Sequence, residues 1–280
     1  MIASFSDGMD YFATLPEGCI AEIISCTSAE DAARLSATTK SFRAAAESET
    51  VWYRLLPPDL ADIISRSVSP VVYSNAKELY FSLCNSPILL DGGKMSFSLD
   101  IRRGKKCFMI AAKELNISWG NNRSYWVLKS HPDSRFSSVA SLRSICRLDI
   151  RGKIAAQTLS ETTNYAAYLV FRLPDNPYGS EPANAVVRFA SRESVEEAEM
   201  RANRVILCGA QFHRRGFTRE FGGQLCRERG DGWMEVEMGS FFVDGGDEDG
   251  EVEARLIETL DLNWKSGLIV EGIEFRPHLN

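Results

Sequence analysis

The stretch SWGNNRSYW, residues 118–126, sets Trp119 and Trp126 seven residues apart around Gly120, Asn121, Asn122, Arg123, Ser124 and Tyr125. An indole offers a large flat apolar face and one N–H donor. Sugar rings also carry apolar C–H faces, with hydroxyls around their edges. A site that stacks such a ring and hydrogen-bonds its rim combines indoles with Asn, Asp, Glu or Tyr. Trp119, Asn121, Asn122, Tyr125 and Trp126 supply that combination on a run that reads as loop. Two readings are open here: a sugar-stacking platform, or two core tryptophans at the ends of a polar loop.

Other candidate chemistry is sparse. Glu271 and Glu274 could suggest the paired carboxylates of glycoside hydrolysis, which must face one bond. On one regular strand they fall on opposite parities. DGGDEDGE (244–251) is acidic but lacks EF-hand spacing, and reads as a charged hairpin loop. His131, His213 and His278 lie too far apart in sequence for a zinc motif. There is no nucleophile elbow and no Gly-rich phosphate loop. The expectation is a non-catalytic chain without cofactor or metal.

Charge and cysteine usage narrow the partners. A formal net charge of -6 argues against a general nucleic-acid binder. The Arg-rich stretch Arg214–Arg229 is interrupted by Glu220 and Glu228 and reads as a solvated loop. MIASFSDGMDYF has neither the basic nor the apolar region of a signal peptide. No apolar run reaches spanning length, so no membrane partner is expected. The seven cysteines are dispersed and form no CxxC, which fits free thiols in a reducing compartment, cytoplasmic and/or nuclear. The sequons at Asn116 and Asn122 are then incidental.

The elements that must position these residues come in two kinds. The 280 residues, 44% hydrophobic and 25% charged, fit one large globular domain or two unequal ones. LPEGCIAEIIS opens with Pro16, suited to a first helical turn, and sets Ile20, Ile23 and Ile24 at helical spacing. Ser28 reads as the N-cap of a second helix, with Glu30 and Asp31 in its first turn. Ala32, Leu35, Thr39 and Phe42 recur every three to four residues, and Trp52 sits on a shorter turn ended by Pro57-Pro58. Residues 57–86 read as a helical connector, with Ser74 able to cap NAKELYFSLC. After Pro87 the period becomes two. Met95, Phe97, Leu99 and Ile101 alternate with polar residues, and YAAYLVFRL (165–173) reads as a strand covered on both faces. Short strands follow at intervals, with RESVEEAEMRAN a helical or loop interruption. The fold class expected is α+β multidomain: a small all-α unit, then an all-β, jelly-roll-like sandwich.

Residues 9–56 resemble an F-box. The features are Leu15-Pro16, the isoleucines at 20, 23 and 24, then Asp31-Ala32-Ala33-Arg34-Leu35, Lys40-Ser41-Phe42-Arg43 and Val51-Trp52. That resemblance implies docking on the Skp adaptor of a cullin–RING ubiquitin ligase, with Leu15, Pro16, Ile20, Ile24, Leu35 and Trp52 as its apolar anchors.

Residues 87–280 resemble the phloem protein 2 family, the Nictaba-like lectins. AAKELNISWGNNRSYW, LDIRGKI, TTNYAAYLVFRLPDNPYG, RGDGWMEVEMGSFF, DGEVEARLIE and WKSGLIVEGIEFRP carry the likeness. It implies a β-sandwich lectin for N-acetylglucosamine oligomers and N-glycan cores. The sugar-contacting tryptophans would be Trp119 and Trp126, and the acidic site residues Glu251 and Glu258. Strand parity puts those two glutamates on opposite faces unless a bulge or a strand end intervenes. Together the halves resemble plant F-box PP2-B proteins. The resemblance implies a substrate receptor of a Skp–cullin–F-box ligase that presents a glycan or glycoprotein. Two alternatives stand beside it: the same adaptor role with a protein target bound without sugar, and a free-standing cytosolic lectin.

Overall fold

The computed structural model describes residues 15–174, 182–208, 223–245, 250–259 and 262–278. The N-terminal edge of the helical unit (9–14), most of the Arg-rich stretch and the middle of the acidic hairpin loop lie outside the described residues.

Six helices come first: α1 Glu17–Ser25, α2 Ala29–Ser36, α3 Lys40–Ala46, α4 Glu49–Leu55, α5 Leu60–Ser65 and α6 Ala76–Asn85. Short polar side chains start several of them by accepting orphaned N–H groups. Ser28 accepts from Asp31 N at 3.1 Å, and Thr39 from Phe42 N at 3.2 Å. At α6 the cap is Asn75 rather than Ser74: Asn75 Oδ1 accepts from Glu78 N at 2.8 Å. The Glu78 carboxylate reaches back to Ser74 N.

The packing corrects the expected adaptor face. Ile20 and Ile24, four residues apart, lie on the inner side of α1 and are fully buried. Trp52 is also buried; its Nε1 donates to Ala46 O at 2.8 Å, and its ring meets Tyr80 and Phe81 of α6 at 5.4 and 5.2 Å. These three side chains therefore hold the helices together and present nothing to a partner. Leu15, Pro16 and Ile23 are exposed, and Leu35 is half-buried.

Fifteen strands, one further α-helix and two short 3-10 helices follow among the described residues. The first strands are β1 Ile88–Leu90, β2 Met95–Leu99, β3 Lys106–Ala111, β4 Asn116–Ile117, β5 Trp126–Lys129, β6 Val139–Leu142, β7 Leu148–Ala155 and β8 Thr163–Arg172. Next are β9 Ala183–Phe189, α7 Val195–Met200, β10 Asn203–Ile206, β11 Gln224–Leu225, β12 Arg227–Glu228, β13 Met234–Val243, β14 Glu251–Glu258 and β15 Ile269–Pro277. The interruption foreseen in RESVEEAEMRAN is α7, opened by a reciprocal capping box between Ser194 and Glu197.

The strands form two sheets. One runs β1-β2-β3-β15-β8-β13-β12, with β6 also on β15 and β5 on β6; the other runs β11-β10-β9-β14-β7-β4. All pairs are antiparallel except β10–β11. The inner faces share one apolar core, with Ile150, Leu256 and Val187 from one sheet against Leu169, Ile273 and Phe275 from the other. The parallel β10–β11 pair also brings Cys208 to Cys226 in a disulfide with Cα atoms 6.3 Å apart. This corrects the expectation of seven free thiols: 18 residues of separation hid a contact that the ladder makes.

Strand direction gives the domain two ends. At the near end, the β2–β3 hairpin and the β7–β8 connection meet the helices. Tyr80 Oη donates to Ile101 O at 3.2 Å, Lys106 Nζ pairs with Asp59 at 2.9 Å, and Tyr165 Oη donates to Lys106 O at 2.8 Å. Gly104, at φ +66°, lies so close to the helices that a Cβ there would stand 2.7 Å from Leu55 O. At the far end, the connections β4–β5, β6–β7 and β14–β15 cross between the sheets.

Candidate functional site

The β4–β5 connection is the tryptophan-bearing loop. Ser118 N donates to Asp149 O at 2.9 Å, tying the loop to the start of β7. Gly120 N donates to Ile117 O at 2.8 Å, and Asn122 N to Trp119 O at 2.9 Å. The Asn122 side chain then accepts from Ser124 N at 2.9 Å. A Cβ at Gly120 would meet Ile117 O at 2.9 Å, so only glycine fits this turn. Trp119 sits at φ +61°. A left-handed backbone at a bulky residue costs roughly 1–2 kcal/mol. The turn's hydrogen bonds hold it there, and the indole projects outward with 63% of its surface exposed. Tyr125 stands beside it, ring centroids 5.9 Å apart and tilted by 59°. Asn121 is exposed on the same loop.

Trp126 behaves differently and corrects the expected pair of platforms. It opens β5 opposite Leu142 of β6, turns inward and is 2% exposed. It also lines a cleft of about 280 Å³ with Ile117, Gly120, Asn121, Leu128 and Ala140. A face packed into the core cannot stack a ligand ring.

The two glutamates are separated as parity requires. β14 pairs with β7 without a register shift, from Glu251↔Ala155 to Glu258↔Leu148. Seven residues of strand put them about 23 Å apart. Glu251 is at the near end, exposed beside Lys153 (3.3 Å), and cannot share a ligand with Trp119. Glu258 is at the far end with Trp119 but is buried in an ion pair with Lys265. It acts on the rim by holding the β14–β15 loop. Lys265 Nζ also donates to Asn263 O at 2.9 Å.

Glu271 and Glu274 depart from the parity expectation. A bulge between Val270 and Gly272 shifts the register of β15 on β8 and brings both carboxylates to Arg135, at 4.0 and 3.9 Å. They belong to an ionic network on the sheet's outer face. There Arg229 and Arg276 also bridge Glu274 to Glu235, at 2.6–2.8 Å. Burial pushes the Glu235 carboxyl up, but Arg276, Arg229 and Arg227 together outweigh it and hold it at about 2. Burial raises Glu271, despite Arg135 and Ser134. These acidic and basic groups pair with one another across the sheet's outer face.

Sequence reasoning missed Trp264. It is 52% exposed on the β14–β15 loop, at the far end. Its setting in NWKSG, a tryptophan among Asn, Ser and Gly, reads as loop and was the available signal. No group of acidic, His and Cys side chains able to hold a metal occurs among the described residues. No described helix is long and apolar enough to cross a membrane.

The Phloem protein 2 family matches residues 105–277. The chain is 43% identical over 267 residues to putative F-box protein PP2-B12 of Arabidopsis thaliana, covering 95% of this chain and 98% of that protein. It is 40% identical over 274 residues to F-box protein At2g02240 of the same plant, covering 97% and 82%. F-box protein SKIP3, also of A. thaliana, is 39% identical over 271 residues, covering 94% and 87%. An N-terminal helical unit joined to a two-sheet phloem protein 2 domain, and these relatives over nearly the whole length, place the chain in the F-box PP2-B family.

Proposed function

We propose that this chain is the substrate receptor of a Skp–cullin–F-box ubiquitin ligase, and that its far rim binds glycans or glycoproteins containing N-acetylglucosamine. The observation that carries the sugar reading is Trp119: a bulky residue in a left-handed conformation, outside the core, with Tyr125 and Asn121 around it. Strain at an exposed aromatic is accounted for by use rather than by packing. The adaptor role draws on the F-box relatives and on an exposed apolar strip, Leu15, Pro16 and Ile23, at the start of α1. Burying each such side chain contributes roughly 1.5–3 kcal/mol.

A second reading keeps the adaptor and gives the rim a protein target without sugar. It draws on the burial of Trp126 and the distance of Glu251, which leave fewer sugar contacts than the resemblance implies. Glycan-array binding of the full chain beside Trp119→Ala separates the two. Binding to N-acetylglucosamine oligomers that Trp119→Ala loses supports the first; a folded wild type that binds no glycan supports the second. For the adaptor, Leu15→Asp and Ile23→Asp should abolish co-purification with the Skp adaptor. Retention by both places the docking face elsewhere. Ile24→Asp is uninformative, because it disrupts the helical core directly.

A further inference from the structure

Of the five tryptophans, Trp52, Trp126 and Trp233 are buried, whereas Trp119 and Trp264 are exposed. Both exposed indoles lie at the far end, on two loops with the β6–β7 connection hydrogen-bonded between them. An indole is the side chain that gains most from burial, so two left in solvent on one rim form a pattern that packing does not explain.

Trp264 is aimed outward by its neighbours. Lys265 pairs with Ile145 through two backbone hydrogen bonds, 2.7 and 2.9 Å, and its side chain turns inward to Glu258. In extended chain the adjacent residue faces the other way. The link back to the first platform is short. Tyr125 O accepts from Arg143 N at 2.8 Å, and Ile145 is two residues further on. Two strand spacings and two residues of rise put Lys265 no more than about 17 Å from Tyr125 along the backbone. That is the span of a few pyranose rings. Arg143 and Arg147 are exposed along this path, and Asn121 and Asn263 are exposed at its ends, as donors and acceptors for ring hydroxyls.

We propose that Trp264 is a second stacking platform, so that the far rim takes an oligosaccharide of several rings, one end on Trp119 and the other on Trp264. Trp264 thus supplies the second indole face that buried Trp126 cannot. The inference rests on the sugar reading of Trp119 given above.

The test is calorimetric titration of the full chain with N-acetylglucosamine and its β-1,4-linked dimer, trimer and tetramer. Wild type should bind more tightly as the chain lengthens. Trp264→Ala should bind the monomer as wild type does and lose about tenfold on the tetramer, with Trp264→Phe restoring part of the loss. Trp119→Ala should weaken every length. Thermal melts check that the variants are folded, as their exposure predicts. If wild type gains with length and folded Trp264→Ala gains equally, the second platform is overturned while the sugar reading stands. If wild type binds none of the four, both fall.

Discussion

The two ends of the two-sheet domain solve opposite problems. The near end is bound to the helices by groups that satisfy one another: Tyr80 on the β2–β3 hairpin, Lys106 on Asp59, Tyr165 on Lys106, and Gly104 against Leu55. The far end ties parts of its loops down as well, through Ser118–Asp149 and Lys265–Glu258, yet leaves Trp119 and Trp264 in solvent. Contacts at one end join two modules; contacts at the other present side chains. Hydrogen bonding alone does not distinguish a structural surface from a binding surface. What distinguishes them is which groups remain unused once the backbone is satisfied.

That contrast can be broken in order of size. Trp126→Ala should cost about 4 kcal/mol, since it removes a buried indole from the core; urea unfolding followed by circular dichroism reads it. A loss within 0.5 kcal/mol, about the effect of a surface change, would return Trp126 to the rim. Asp59→Ala leaves the buried Lys106 ammonium without its carboxylate and should cost about 3 kcal/mol. The partial exposure of Asp59 allows water to lower that figure, and comparison with Lys106→Met measures how much. Gly104→Ala combines a left-handed backbone with a Cβ against Leu55 O and should cost about 2 kcal/mol. It should also raise proteolysis between helices and sheets; an unchanged digestion pattern would show that the near end is not a rigid joint. Trp119→Ala should shift stability by no more than about 0.5 kcal/mol in either direction while weakening binding to N-acetylglucosamine oligomers. Equal losses of stability at Trp119 and Trp126 would erase the distinction between the two.

Much of this was legible in sequence. The switch in period after Pro87, the Ser28 cap and the opposite faces of Glu251 and Glu258 all follow from local rules of three to four residues, or of two. Legibility stopped where distant segments meet. Nothing local shows that α6 closes over Trp52, that a bulge turns Glu271 toward Glu274, or that Cys208 reaches Cys226. Likewise, Ile20 and Ile24 have the spacing of a docking face and the spacing of a core face, because a single helix carries both patterns.

The sequence by itself determined the two-part architecture, the family resemblance and the loop on which Trp119 stands. These depend on composition, periodicity and turn chemistry carried by neighbouring residues. Only the tertiary structure decided which tryptophan faces water. Trp126 is buried because β5 pairs with β6, and Trp264 is exposed at the same end of the domain as Trp119 because Lys265 turns inward to Glu258. Each outcome is set by a partner far away in the chain, and burial is a property of such partners rather than of the residue.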